Sequence, residues 1–148
     1  MVYPPLLQLA GEAAYRARYE AVYCVGPVMT FDGIAVRFRK RTFDHCFFES
    51  SRRDGVKDRF SLKRAERIDW IKAALEDPHS ERYAGWDNKR KRYDARRRVT
   101  LVMGNYVVVI ALKGGRRADF ITAYVADTPA RPGQLSTVDK IRRGPGCA

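Results

Sequence analysis

Long hydrophobic runs, paired cysteines, histidine and negative charge are what this chain of 148 residues has least of. No apolar run approaches the roughly 18 residues that cross a bilayer, and residues 1–10 lack the basic n-region of a signal peptide. The expectation is a cytoplasmic chain with no membrane partner. The 3 cysteines, Cys24, Cys46 and Cys147, are odd in number and widely spaced. They make neither a disulfide framework nor a CxxC metal pair, which fits a reducing compartment. The 2 histidines, His45 and His79, stand apart and the acids are scattered, whereas two-metal phosphate chemistry needs grouped carboxylates. No Walker loop, GxGxxG turn or Ser-His-Asp arrangement is legible. Neither a metal nor a cofactor is expected.

What is abundant is positive charge: 29 Lys and Arg against 17 Asp and Glu, a formal +12. Arginine dominates, and guanidinium grips phosphate in a bidentate fork that ammonium lacks. A balance this basic attracts polyanions, whether nucleic acid, an anionic membrane surface or an acidic protein. With 45% hydrophobic residues the chain can still bury a core without metal or disulfides.

Apolar periodicity predicts a helix over 6–23, with Leu6, Leu7, Ala10, Ala14, Ala17 and Ala21 as its stripe, able to pack on the domain or on a partner. Asp32 and Gly33 read as a turn. Residues 34–40 alternate, with Ile34, Val36 and Phe38 on one face and Arg37 and Arg39 on the other, as in a half-exposed strand. Ser61 caps a predicted helix over 62–75 whose buried stripe is Leu62, Ala65, Ile68, Ile71 and Leu75. Residues 99–103, 106–112 and 120–126 are β-branched and aromatic, separated by Gly104-Asn105 and by a loop holding Gly114-Gly115. They predict an antiparallel meander with 106–112 central. The fold class is α+β, with N-terminal helices packed on a C-terminal antiparallel sheet of at least three strands. The boundaries read as a helical extension over 1–26, the main domain over 27–143 and a flexible tail over 144–148.

Three groups of residues could carry chemistry. His45 follows Lys40 and Arg41 and can exchange a proton near neutral pH. RNA cleavage by 2′-OH attack needs a base, cations around the phosphorane and an acid for the leaving 5′-oxygen; a His beside Lys and Arg supplies such parts. The same spacing fits a structural histidine among Phe43, Phe47 and Phe48. Thr122 and Tyr124 stand two apart on a strand and so share a face, with Phe120 on that side and Ile121 and Ala123 on the other. Two hydroxyls there can hold a phosphate, or be no more than good strand residues. The third group is the basic block Lys89, Arg90, Lys91, Arg92, Arg96, Arg97 and Arg98, with Tyr83, Trp86 and Tyr93 interleaved. Cations bind phosphates and flat rings stack bases, a mixture that suits RNA better than a membrane; a solvated loop is the plain alternative. Arg37 and Arg39 extend the positive face, and Arg64 and Arg67 are a weaker helix-borne pair. His79 reads as a helix-end residue.

A basic strand leading into Phe43-Asp44-His45-Cys46-Phe47, then Arg64-Ala65-Glu66-Arg67-Ile68-Asp69-Trp70-Ile71, then Tyr106-Val107-Val108-Val109-Ile110 and Phe120-Ile121-Thr122-Ala123-Tyr124, in that order, resemble the phage-encoded branch of the barnase–EndoU–colicin–RelE superfamily. The resemblance runs over residues 34–143. It implies N-terminal helices before a four-stranded antiparallel sheet, and a small metal-independent ribonuclease or toxin-like domain. It implies catalytic roles for His45, for Lys40 or Arg41, and for Thr122 and Tyr124, with Arg64 or Arg67 as a further cation. The expected function is an endoribonuclease leaving a 2′,3′-cyclic phosphate on RNA such as tRNA or ribosomal RNA. Its expected setting is the cytoplasm of a bacterial host, with an acidic inhibitor protein as a partner. A non-catalytic nucleic-acid-binding phage protein, or an interaction protein docking through its N-terminal helix, are the competing readings.

Overall fold

Tyr106, Val107, Val108, Val109 and Ile110 are buried without interruption, which a strand achieves only when both faces of its sheet are covered. The protein, a computed structural model, is described over residues 3–52, 54–87, 89–102, 105–126, 137–142 and 144. Its elements in chain order are α1 (Glu12–Tyr23), β1 (Val28–Met29), β2 (Ala35–Arg37), α2 (Thr42–Phe47), β3 (Phe48–Glu49), β4 (Arg59–Phe60), α3 (Leu62–Ala65), α4 (Ile68–Glu76), β5 (Glu81–Asp87), β6 (Arg92–Val102), β7 (Tyr106–Gly114), β8 (Arg117–Val125) and α5 (Thr137–Arg142). The fold is α+β. Strands β5 to β8 form an antiparallel meander within a 6-stranded sheet of order β1-β2-β8-β7-β6-β5. β2 joins parallel to β8 through Ala35↔Arg117, Val36↔Ala118 and Arg37↔Asp119, and β1 pairs antiparallel outside it. β3 and β4 form a separate ribbon.

One sheet face presents Tyr106, Val108, Ile110, Ala118, Phe120 and Ala123 to a core shared with α1, α2 and α4. The opposite face presents Val99, Val107 and Val109, covered by Val138 and Ile141 of α5. That small helix lies inside the main domain expected over 27–143, in a stretch for which no element was predicted. Val138 and Ile141 lie three apart, on one helix side, and so reach the same apolar patch. Of the segment 144–148, only Gly144 lies within the described residues.

The first helix is shorter than its periodicity suggested, and it buries a different stripe. Tyr15, Tyr19 and Tyr23, at i, i+4 and i+8, are 0–1% exposed. Large rings bury more area than alanines and so win the inward face. Helix α1 is thus a layer of the main core rather than an appendage to it. Upstream, tertiary partners claim the backbone. Leu7 N–H donates to the Glu66 carbonyl at 2.8 Å, and the Tyr15 hydroxyl donates to Leu7 O at 2.7 Å while accepting from Leu9 N at 3.1 Å. Helical bonds there would compete with these.

The helix expected over 62–75 is broken at Glu66 and Arg67 into α3 and α4. Ser61 does cap it, its hydroxyl accepting from Arg64 N at 3.3 Å. Ala65, Ile68, Ile71 and Leu75 are buried as expected, but Leu62 is 51% exposed. Among the described residues no helix is long and apolar enough to cross a membrane.

Candidate active site

Strand β2 covers β8 only as far as Asp119, leaving the remaining edge of β8 to be closed by something else. Helix α2 closes it. Phe43, Cys46 and Phe47, at i, i+3 and i+4, point into the core. The Cys46 thiol lies against the β8 edge, accepting from Ala123 N at 3.4 Å and donating to Ala123 O at 3.6 Å. Burial pushes this thiol up to about 11, against hydrogen bonds from the Ala123 amide and Thr122 hydroxyl. Its neighbour His45 is consequently exposed over the far face of the sheet.

That face carries Thr122 and Tyr124. A register shift in the β7–β8 ladder pairs Val109 with Thr122 but Ile110 with Phe120, so Ile121 is an extra residue. The bulge reorients the strand. Phe120 and Ala123 both face the helices, while Ile121 and Tyr124 pack on the opposite patch. The strict alternation expected from sequence therefore fails at Phe120, although Thr122 and Tyr124 do share a side.

His45, Thr122 and Tyr124 line one cleft of about 630 Å³, together with Arg97 and Tyr93 and an apolar floor of Val99, Val109, Ile121 and Ile141. A concave, mainly apolar site with a few convergent polar groups is the usual form of a small-ligand or reacting-group pocket. The stem of Arg97 packs against Gly85, where a β-carbon would meet the Arg97 Cβ at 2.7 Å; glycine is what lets the two strands carry Arg97 this close.

Three cations act on His45. Partial desolvation comes first, then Lys57, Arg64 and Arg97, and all hold the imidazole below its ordinary value of 6.5. Arg64 donates to the Cys46 carbonyl at 3.0 Å, capping the end of α2, and its guanidinium lies 5.8 Å from the Tyr124 ring centre. It links the helix that carries His45 to the strand that carries Tyr124. Among the described residues no group of three or more His, Cys, Asp or Glu side chains is placed to hold a metal ion.

No protein-family model, curated protein or solved structure matches this chain. The site stands on its own geometry.

Several residues expected at the site lie elsewhere. Lys40 borders a different groove and sits 4.0 Å from Glu20. Arg41 is exposed at the start of α2, away from the cleft lining. Both precede the helix whose far end carries His45, so nearness in sequence misleads. Arg67 donates through Nη1 to Lys63 O at 2.6 Å and to Glu66 at 3.1 Å, lies over the Trp70 ring and is not among the residues that line the cleft. Arg98 is 2% exposed and paired with Asp32 at 2.9 Å; it belongs to the core. Arg39 pairs with Asp119 at 3.5 Å while Arg37 is exposed, and both border the groove of Lys40. His79 is exposed beside Asp77 at 3.3 Å, the helix-end place expected for it.

The basic block is divided between a loop and an arm: Lys89, Arg90 and Lys91 lie in the exposed connection between β5 and β6, and the other bases lie on β6. Strand β6 pairs with β7 only from Arg97 onward, so the β5–β6 hairpin extends beyond the sheet through Gly85↔Asp94, Trp86↔Tyr93 and Asp87↔Arg92. Lys89, Arg90, Lys91, Arg92 and Arg96 are exposed on it, with Arg90 3.9 Å from Asp87. The Trp86 side chain lies outside the described residues, as do Gly104 and Cys147. The arm joins the cleft at Tyr93 and Arg97.

Sequence reasoning missed Lys57 altogether, because it sits on the loop between β3 and β4 and reaches His45 only through the fold. Arg97 was visible only as one base among seven. Its partner Gly85, directly before Trp86, was the available signal.

Proposed function

We propose that the protein is a metal-independent endoribonuclease that cleaves RNA by 2′-OH attack and leaves a 2′,3′-cyclic phosphate. The observation that carries this is the convergence of His45, Thr122, Tyr124 and Arg97 on one cleft. A depressed imidazole is neutral at physiological pH and therefore ready to act as a base. His45 takes the ribose 2′ proton, the O2′–P bond forms and the P–O5′ bond breaks. Arg97 and Arg64 stabilise the negative phosphorane. Thr122 rotates its hydroxyl proton from the Cys46 thiol to a non-bridging oxygen, and Tyr124, held under Arg64, orients the phosphate. The leaving 5′-oxygen takes its proton from solvent in this one-histidine cleft. The exposed hairpin arm holds the strand electrostatically.

This is the activity implied by the resemblance to the phage-encoded branch of the barnase–EndoU–colicin–RelE superfamily. The same resemblance supports a bacterial host cytoplasm as the setting, tRNA or ribosomal RNA as the target and an acidic inhibitor protein as the partner. The deciding experiment incubates the protein with tRNA, ribosomal RNA and an oligoribonucleotide in EDTA and assays 2′,3′-cyclic ends. Cleavage that falls by about 100-fold or more in His45→Ala is the expected result. No cleavage by the wild-type chain, or undiminished cleavage by the variant, overturns the mechanism; salt-sensitive RNA binding without cleavage would leave a nucleic-acid-binding protein.

A further inference from the structure

A groove of about 840 Å³ runs between the α1–β1 connection and the start of β8. Arg37, Arg39 and Lys40 border it from β2 and the residues after it, Lys113 from the end of β7 and Arg117 from the start of β8. One acid, Asp119, lines it, 3.5 Å from Arg39 and 3.8 Å from Lys113. Among the described residues the side chains of Arg37 and Arg117 have no acidic or hydrogen-bonding partner. Asp119 serves Arg39 and Lys113 and Glu20 stands 4.0 Å from Lys40, so five cations share two carboxylates and repel one another unless a further anion joins them.

Among the described residues the groove has no exposed ring on which a base can stack. Tyr23 and Phe38 reach its wall, but they are 0% and 4% exposed and packed together in the core. Its chemistry suits phosphates rather than bases, and phosphate contacts fix position without reading sequence. Two elements lead from it to the cleft. Strand β8 runs from Arg117 to Thr122, about 17 Å at strand rise, and α2 carries the chain from Lys40 toward His45.

We propose that this groove is a second subsite for the phosphodiester backbone, holding nucleotides of the same RNA a short way from the phosphate at His45. That one RNA occupies both the groove and the cleft rests on the ribonuclease reading; the binding of a phosphodiester backbone in the groove does not.

The test uses the full chain with Arg37→Gln/Arg117→Gln and, separately, His45→Ala. The probes are a labelled RNA of about 20 nucleotides, long enough to track a basic groove, a dinucleotide and polyglutamate. The double variant should bind the long RNA roughly tenfold more weakly and reduce its log Kd against log salt slope by about 1.4. Dinucleotide cleavage should not change. Unchanged affinity and slope overturn the subsite, even where His45→Ala abolishes cleavage and the ribonuclease reading stands. If the wild-type chain does not cut RNA while the double variant loses RNA binding, the ribonuclease reading fails and the groove stands as a backbone site. Equal loss on dinucleotide and long RNA overturns the separate position. Loss of polyglutamate binding alone assigns the groove to an acidic protein and overturns the RNA proposal.

Discussion

The Cys46 thiol occupies the place of a missing strand, bonded to both the amide and the carbonyl of Ala123 at 3.4 and 3.6 Å. One side chain thereby closes the free edge of β8 and sets where His45 stands. Cys46→Ala leaves both Ala123 groups unsatisfied and should cost about 2 kcal/mol. Cleavage should fall with it, because His45 loses its fixed distance from Thr122. Cys46→Ser keeps a donor and acceptor and should recover activity more fully than stability. Urea denaturation and RNA cleavage on the same preparations check this; an alanine variant of full activity shows that the thiol is structural alone.

The surroundings of His45 make a pH prediction with a definite sign. Desolvation and then Lys57, Arg64 and Arg97 lower its pKa from 6.5. Removing one charge by Arg97→Gln should raise it, seen as a shift of the imidazole proton titration by NMR. A base is active when unprotonated, so the acid limb of the pH–rate profile should move to higher pH. For stability, the unfolded chain binds this proton more readily than the folded one. The folded state therefore loses ground as pH falls from 6.5 through the lower folded value. An unmoved titration would remove Arg97 from the histidine's environment.

Tyr23 shows how α1 and α4 are joined. Its hydroxyl donates to Ile68 O at 2.5 Å and accepts from Lys72 N at 3.0 Å. The phenol bridges a carbonyl and the amide one helical turn later, just after the α3–α4 break. Burial raises its pKa far above the ordinary value, so it stays a neutral donor. Tyr23→Phe keeps the ring and removes the bridge, which should cost about 1–2 kcal/mol. Faster hydrogen exchange at Lys72 is the local readout.

The parts legible in the sequence were those fixed by local pattern. The apolar run from Tyr106 to Ile110 announced a central strand, and Ser61 announced a helix start. His45, Thr122 and Tyr124 were also visible as residue types. Features set by competition between distant groups were not. Tyrosines displaced alanines from the inward face of α1, and a one-residue bulge at Ile121 turned Phe120 away from Thr122. The charges that reach His45 come from three other segments, while Lys40 and Arg41, adjacent in sequence, lie at the wrong end of α2. Arginine composition likewise cannot tell Arg97, in the cleft, from Arg98, in the core: adjacent residues of one strand point to opposite faces.

Arg98 supplies the sharpest stability test. Its guanidinium meets Asp32 at 2.9 and 3.4 Å, and Asp32 also receives Arg82 at 3.1 Å and the Thr30 hydroxyl at 2.6 Å. Gly33, at φ 87°, turns the chain beside it, where a β-carbon would meet the Arg116 guanidinium at 2.7 Å. Burial works to raise the Asp32 pKa, but hydrogen bonds from Thr30 and Arg98 and the charge of Arg98 hold it below the ordinary value. Its contribution is present above the unfolded carboxylate pKa of about 3.9 and is lost as pH falls through the lower folded value. Asp32→Asn strands a buried guanidinium and should cost about 3–5 kcal/mol. Adding Arg98→Met removes that charge together with its Nε, which is buried without a partner among the described residues, and should recover most of the loss. Urea denaturation of the two single variants and the double variant measures the coupling; additive losses would show that Arg98 draws its compensation from somewhere other than Asp32.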